Sequence, residues 1–229
     1  MKKLAKVLAA IILTIAVFFT AECMYAQTYN GHEYVDLGLP SGTLWATCNV
    51  GATTPEGYGD YFAWGETKPK SIYNWSTYKY CNGGGYQLTK YCSTFKYGYH
   101  GFSDKLTVLQ PEDDAATANW GSGWCIPTKK QWEELYKNTD HTWKVWDGVN
   151  GMLFRGKNGA LLFLPAAGSR WGGDLYNDGA VGYYRSSSLR TDYPGSAWDF
   201  DFDSGDFDMY GSNRYYGISV RAVRSARQN

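Results

Sequence analysis

Trp198-Asp199-Phe200-Asp201-Phe202-Asp203-Ser204-Gly205-Asp206-Phe207-Asp208-Met209-Tyr210 alternates aromatic and acidic residues through a central Ser-Gly pair. Side chains along a β-strand point alternately to its two faces. The pattern therefore predicts a strand with Trp198, Phe200 and Phe202 on one side and Asp199, Asp201 and Asp203 on the other. Ser204-Gly205 supplies a tight turn and the alternation then resumes, which gives an antiparallel hairpin with an apolar underside and a solvated acidic top.

The hairpin lies within residues 172–216, where 30 of 45 residues are Tyr, Ser, Gly, Asp or Asn, with eight Asp, three Arg, and neither Lys nor Glu. Tyr offers large contact area at low conformational cost, and Ser, Gly and Asn offer adaptable hydrogen bonding, the composition that binding loops favour. The expected ligand face comprises Tyr176, Asn177, Tyr184, Arg185, Ser187, Arg190 and Tyr193 with the acidic comb of Asp199, Asp201 and Asp203. Gly217 to Val223 alternates once more and predicts a closing strand.

Outward from this segment, further elements can be placed. Tyr34 to Gly42 reads as a strand entering a Pro-Gly turn, Thr43 to Val50 as its answering strand, and Asp60 to Gly65 as a third apolar stretch. Residues 67–102 are rich in Tyr and Gly without a period and predict a long loop insertion. Asp113 to Ala118 suits a short helix with an acidic start. Thr128 to Asn138 predicts a second, with Thr128 and Gln131 spaced as a capping box and Trp132, Leu135 and Tyr136 on one face. Glu133 and Glu134 are adjacent, so they diverge around that helix and suit a solvated surface better than a catalytic pair. Gly156-Lys157-Asn158-Gly159 joins two apolar runs as a hairpin, and the second, Ala160 to Pro165, is apolar on both faces and expected to be central. The fold class is α+β: two short helices with several antiparallel strands.

The N-terminus gives a compartment. Lys2, Lys3 and Lys6 precede an apolar run of 13 residues from Val7 to Phe19, and Ala26 stands before Gln27. This is the layout of a secretory signal peptide over residues 1–26, and the run is short for a membrane span. A lipid anchor at Cys23 is the lesser alternative, because Glu22 occupies the place where a lipoprotein signal takes a small residue. The remaining 203 residues form one domain, 27–229, with 19 basic and 21 acidic residues and no basic run to hold nucleic acid. Cys48, Cys81, Cys92 and Cys125 allow two disulfides, Cys81–Cys92 being the natural local pair, or equally four thiols. No C-x-x-C pair points to zinc.

Several strings resemble the Fibrobacter succinogenes major paralogous domain family of exported bacterial proteins. They are Tyr34 to Ala46, Gly59 to Glu66, Trp124-Cys125-Ile126-Pro127-Thr128 with Trp132, Glu133 and Leu135, Leu164 to Arg170, Gly182 to Ser188 and Gly217 to Arg224. The likeness spans nearly all of residues 27–229, with Cys125 in place of the usual Arg and Arg185 in place of the usual aromatic. That family is similar to the C-type lectin-like fold of sulfatase-modifying enzymes and retroelement-diversified variable proteins. The resemblance implies short helices beside twisted antiparallel strands, with residues 172–216 as an exposed ligand face on the bacterial surface or in the periplasm.

The sulfatase-modifying relatives require cysteines late in the domain, and this chain has none after Cys125. G-x-S-x-G, H-E-x-x-H and P-loop patterns are absent as well, and His32, His100 and His141 have no spaced nucleophile beside them. The expectation is a non-catalytic binding protein without a cofactor, taking an extracellular protein or glycan. The alternative is a calcium-dependent lectin, because Asp199-x-Asp201-x-Asp203 has the carboxylate spacing of calcium loops. Tyr, Ser, Asn, Asp, Gly and Arg are also residues reached when adenines of Asn codons are mutated, so diversification by a retroelement is a further expectation.

Overall fold

The strand pair read from residues 198–210 forms as β11 (Ser196–Phe202) and β12 (Phe207–Asn213), antiparallel, with Phe200 opposite Met209 and Phe202 opposite Phe207. They occupy one end of a sheet in a computed structural model that describes residues 27–226. The expectations for the signal peptide and for Cys23 lie outside the described residues.

This central sheet continues from β11 to β10 (Gly182–Leu189), β13 (Gly217–Ser219), β8 (Ser169–Trp171) and β9 (Asp174–Tyr176), and the short β4 (Tyr61–Phe62) pairs with β13. Only β10 against β13 is parallel among these pairings. Gly182 is required where it stands, since a Cβ there would lie 2.1 Å from the Phe202 ring that covers it. A second sheet has the order β1 (Gln27–Tyr29), β2 (His32–Asp36), β3 (Thr43–Asn49) and β14 (Arg221–Ser225), so the first and last strands of the described chain share one sheet. The third is the meander β5 (Asp140–Trp146), β6 (Val149–Arg155) and β7 (Leu161–Pro165). β7 is an edge strand, against the expectation that it is central. One face, Leu162 and Leu164, packs into the core, and on the other Phe163 is covered by the Trp146 ring of the same meander.

The two expected helices are present. α1 (Ala115–Trp120) begins later than read, because Asp114 is its N-cap, accepting from the Thr117 amide at 2.9 Å, while Asp113 belongs to a preceding 3-10 turn. α2 (Lys129–Asn138) carries the full capping box between Thr128 and Gln131 and buries Trp132 and Leu135 completely. Glu133 lies between Lys129 and Lys137 at the surface, and Glu134 accepts from the Ser41 amide and hydroxyl.

Two aromatic cores result. One joins α2, the meander and the inner face of β10–β12 through Trp45, Trp132, Phe154, Tyr184, Phe200 and Phe202. The other joins the terminal sheet, α1 and the insertion through Trp64, Tyr78, Tyr91, Trp120 and Trp124. The insertion is almost without strands and is held by two buried charges. Arg214 donates to Tyr78 Oη at 2.8 Å and to the carbonyls of Lys90, Tyr91 and Pro194, and lies over the Trp64 ring. Asp113 accepts from the Tyr80 and Tyr91 hydroxyls and from Lys90 Nζ at 2.6 Å. These bonds satisfy the two charges where water cannot. Of the two alternatives for the cysteines the thiols are found, with no Cys81–Cys92 bridge: all four cysteines of the described chain are free, and Cys81 and Cys92 each donate to a nearby carbonyl. No helix among the described residues is long and apolar enough to cross a membrane.

Candidate functional site

Strand register sorts residues 172–216 into faces. Tyr183, Asp201 and Asp208 lie abreast on β10, β11 and β12, as do Arg185, Asp199 and Tyr210, so all six share the outer face of the sheet. Tyr184, Phe200 and Met209 lie abreast on the inner face. The expected separation of aromatics from acids therefore holds in phase, but the acidic side is not open to solvent along its length.

Asp199 is completely buried. Its carboxylate lies 3.7 Å from Arg185 Nη1 and accepts from the Ser212 amide at 2.9 Å and hydroxyl at 2.7 Å. Arg185, 1 % exposed, donates through Nη2 to the carbonyls of Asn213 and Tyr216. Ser187 is buried where residues 107–109, beyond the insertion, cross β10, with Leu109 N donating to Ser187 O and Leu189 N to Thr107 O. Tyr184 points inward, donates to Pro165 O at 2.8 Å and accepts from Asn49. Tyr184, Arg185, Ser187 and Asp199 are thus interior residues, a correction to the ligand face read from sequence. Tyr184 is interior by its own parity, Ser187 is covered by residues 107–109 and Pro127, and Arg185 and Asp199 are enclosed with Ser212, Asn213 and Tyr216, tertiary contacts that no local sequence signal announces.

The remaining candidates divide between the two ends of β10–β11, about 20 Å apart at the strand rise. Arg190 pairs with Asp192 and lies over Trp198, whose ring also has Lys129 Nζ at 3.4 Å and packs against the core. Trp198 has the parity of Phe200, so this cluster lies on the side opposite Asp201. Tyr193 packs edge-on against Tyr97 of the insertion.

Tyr176, Asn177, Asp201 and Asp203 gather at the other end. Trp171 and Tyr176 stack at 4.7 Å with planes 25° apart, and Trp171 is 47 % exposed. Asn177 donates to Tyr183 Oη at 3.1 Å, which ties this shelf to a cleft of about 200 Å³ lined by Tyr183, Asp201, Asp203, Asp206, Phe207 and Tyr210. Asp203 Oδ1 accepts from the Gly205 and Asp206 amides, and these bonds hold its carboxyl below the usual range. Burial, and then the charge of Asp199, pushes Asp201 well above it. Asp201 Oδ1 is sealed from solvent, and the protonation-prone Asp201 carboxyl is hydrogen-bonded to the Asp199 carboxylate beside it.

Trp171, Tyr183, Asp206 and Tyr210 complete this surface and were not among the residues read from sequence. Trp171 falls one position before the segment. Tyr183 and Tyr210 could have been found by carrying the parity of the Asp residues across to β10 and along β12. The three carboxylates of the comb do not converge as a calcium loop requires: one is in an ion pair, one is protonation-prone and one caps its own turn. Among the described residues no group of three or more His, Cys, Asp or Glu is placed to hold a metal ion. No family model, curated protein or solved structure matches the chain.

Proposed function

We propose that this chain is an exported, non-catalytic binding protein whose ligand face is the shelf of Trp171 and Tyr176 with the adjoining cleft at Tyr183, Asp201 and Tyr210. The observation that carries the reading is the stacked, half-exposed aromatic pair joined to that cleft by the Asn177–Tyr183 hydrogen bond. Exposed aromatic rings beside polar groups form the anchors of ligand surfaces. The C-type lectin-like architecture belongs to the same proposal, and the pairing of the early strand β3 with the late strand β14 supports it.

The test is binding of the purified chain to a glycan array and to intact and protease-treated bacterial cells, each in calcium and in chelator, beside Trp171→Ala with Tyr210→Ala. Loss of the wild-type signal in the double variant supports this face, and undiminished binding overturns it. Loss in chelator would favour the calcium-dependent lectin. If a retroelement diversifies the coding segment, near-copies should differ at exposed Asn177, Asp203, Asp206 and Tyr210, and keep Tyr184, Arg185, Ser187 and Asp199.

A further inference from the structure

Residues 86–105 fold as a small knob. Leu88 donates to Tyr97 O and accepts from Tyr99 N, and Phe102 N closes a tight turn on Tyr99 O at 3.0 Å. His100 and Gly101, in the middle of that turn, are both left-handed, the conformation that brings its first and last residues close together. The knob buries little of its own: Leu88, Cys92 and Tyr97, with Trp75, Cys81 and Tyr193 at their edge. Its other rings stay outside. Phe95 is 72 % exposed, and Tyr86, Tyr99 and Phe102 are exposed with it. Large apolar groups gathered at a surface mark a site of contact.

The charge of this stretch is one-sided. Residues 67–105 hold six Lys and one Asp, against eight Asp and three Arg in residues 172–216. The one acid, Asp104, is turned inward and accepts from the amides of Tyr91, Cys92 and Leu106. Lys70 pairs with Glu66, Lys79 with Asp113, and Lys90 with Glu112 and Asp113. Lys96 and Lys105 are exposed beside Phe95 and Phe102 and form no ion pair among the described residues. The knob therefore turns rings and cations outward, and its complement is apolar and anionic together.

We infer that the knob docks on an anionic lipid surface, with Phe95 and Phe102 entering the acyl boundary, Tyr86 and Tyr99 at headgroup level, and Lys96 and Lys105 on the phosphates. Tyrosine suits the membrane–water interface, where its ring is apolar and its hydroxyl wet, and lysines are drawn to anionic headgroups. A phenyl ring has no group to hydrogen-bond a sugar, whereas leaving water for hydrocarbon is favourable to it, so phenylalanines at the tip select lipid over an anionic glycan. Ser93 Oγ donates to Thr191 O at 2.8 Å and Tyr97 meets Tyr193, which seats the knob at the end of β10–β11 away from the cleft at Asp201. A docked chain holds the proposed ligand face clear of the membrane. The inference uses other residues than that face and stands without it.

The experiment follows amide hydrogen exchange of the full chain with vesicles of phosphatidylcholine alone, with vesicles containing one third phosphatidylglycerol, and with soluble dextran sulfate. The apolar run from Val7 to Phe19 is kept in every variant, so a change at residues 86–105 reports the knob. Expected is slowed exchange there with the anionic vesicles and little with the neutral ones. Lys96→Gln with Lys105→Gln should reduce the protection about fivefold for each charge removed. Phe95→Ser with Phe102→Ser should abolish it. Both pairs are exposed, and their urea midpoints should match the wild type. No slowing at residues 86–105 with anionic vesicles, equal slowing with neutral ones, or full protection in both variants overturns the inference. Protection by dextran sulfate and not by vesicles also overturns it, in favour of an anionic glycan.

Discussion

At the scale of single residues, the outer face of β10–β12 is governed by one ion pair and the carboxyl next to it. Removing one member of a buried pair strands the other charge, which costs about 3–5 kcal/mol. Asp199→Ala should therefore destabilise the chain by about that amount in urea unfolding, and Arg185→Met with Asp199→Leu should recover most of the loss. Asp201 acts in the opposite sense. Its folded-state carboxyl is raised by burial and then by Asp199, so the folded state holds a proton that the unfolded chain gives up near pH 4. Its contribution is present below that point and is lost as pH rises through the raised value. Denaturation midpoints measured from pH 4 to 7 should fall less steeply for Asp201→Asn than for the wild type, with Asp199, also raised, sharing the titration.

At the scale of elements, what could be read in the sequence depended on whether an element carries its own signal. The Thr128–Gln131 box is local, and α2 starts where it says; Thr128→Ala should cost about 1 kcal/mol and lower the melting temperature by about 2–4 °C in a thermal scan. The hairpins around Gly156–Gly159 and Ser204–Gly205 are likewise local, and both form. Apart from the start of α1, which a local cap at Asp114 shifts, the failures were non-local. Parity placed Asp199 on the outer face, but parity says nothing about Ser212, Trp64 and residues 107–109, which come from other parts of the chain to close around β10 and β11. Ala160 to Pro165 is apolar on both faces whether neighbouring strands or neighbouring layers cover it. Gly217 to Val223 reads as one strand, yet Val220 divides it into β13 and β14, because the alternation continues across the point where the chain leaves one sheet for another.

At the scale of the whole molecule, that division makes residues 217–225 the joint between the central sheet and the terminal sheet. β13 contacts β4, β8 and β10, and β14 closes onto β3. A chain ending at Tyr216 should show neither a cooperative unfolding transition nor dispersed amide resonances, because both sheets lose a strand and Ile218, Val220, Ala222 and Val223 leave the two cores. The same joint sets the order of events during synthesis. Strand β3 is made early but cannot complete its ladder until Arg221 to Ser225 have left the ribosome, so pairing must span almost the full length of the nascent chain. Until that moment the terminal sheet lacks its closing strand, so the fold can lock only after nearly the whole chain has been made.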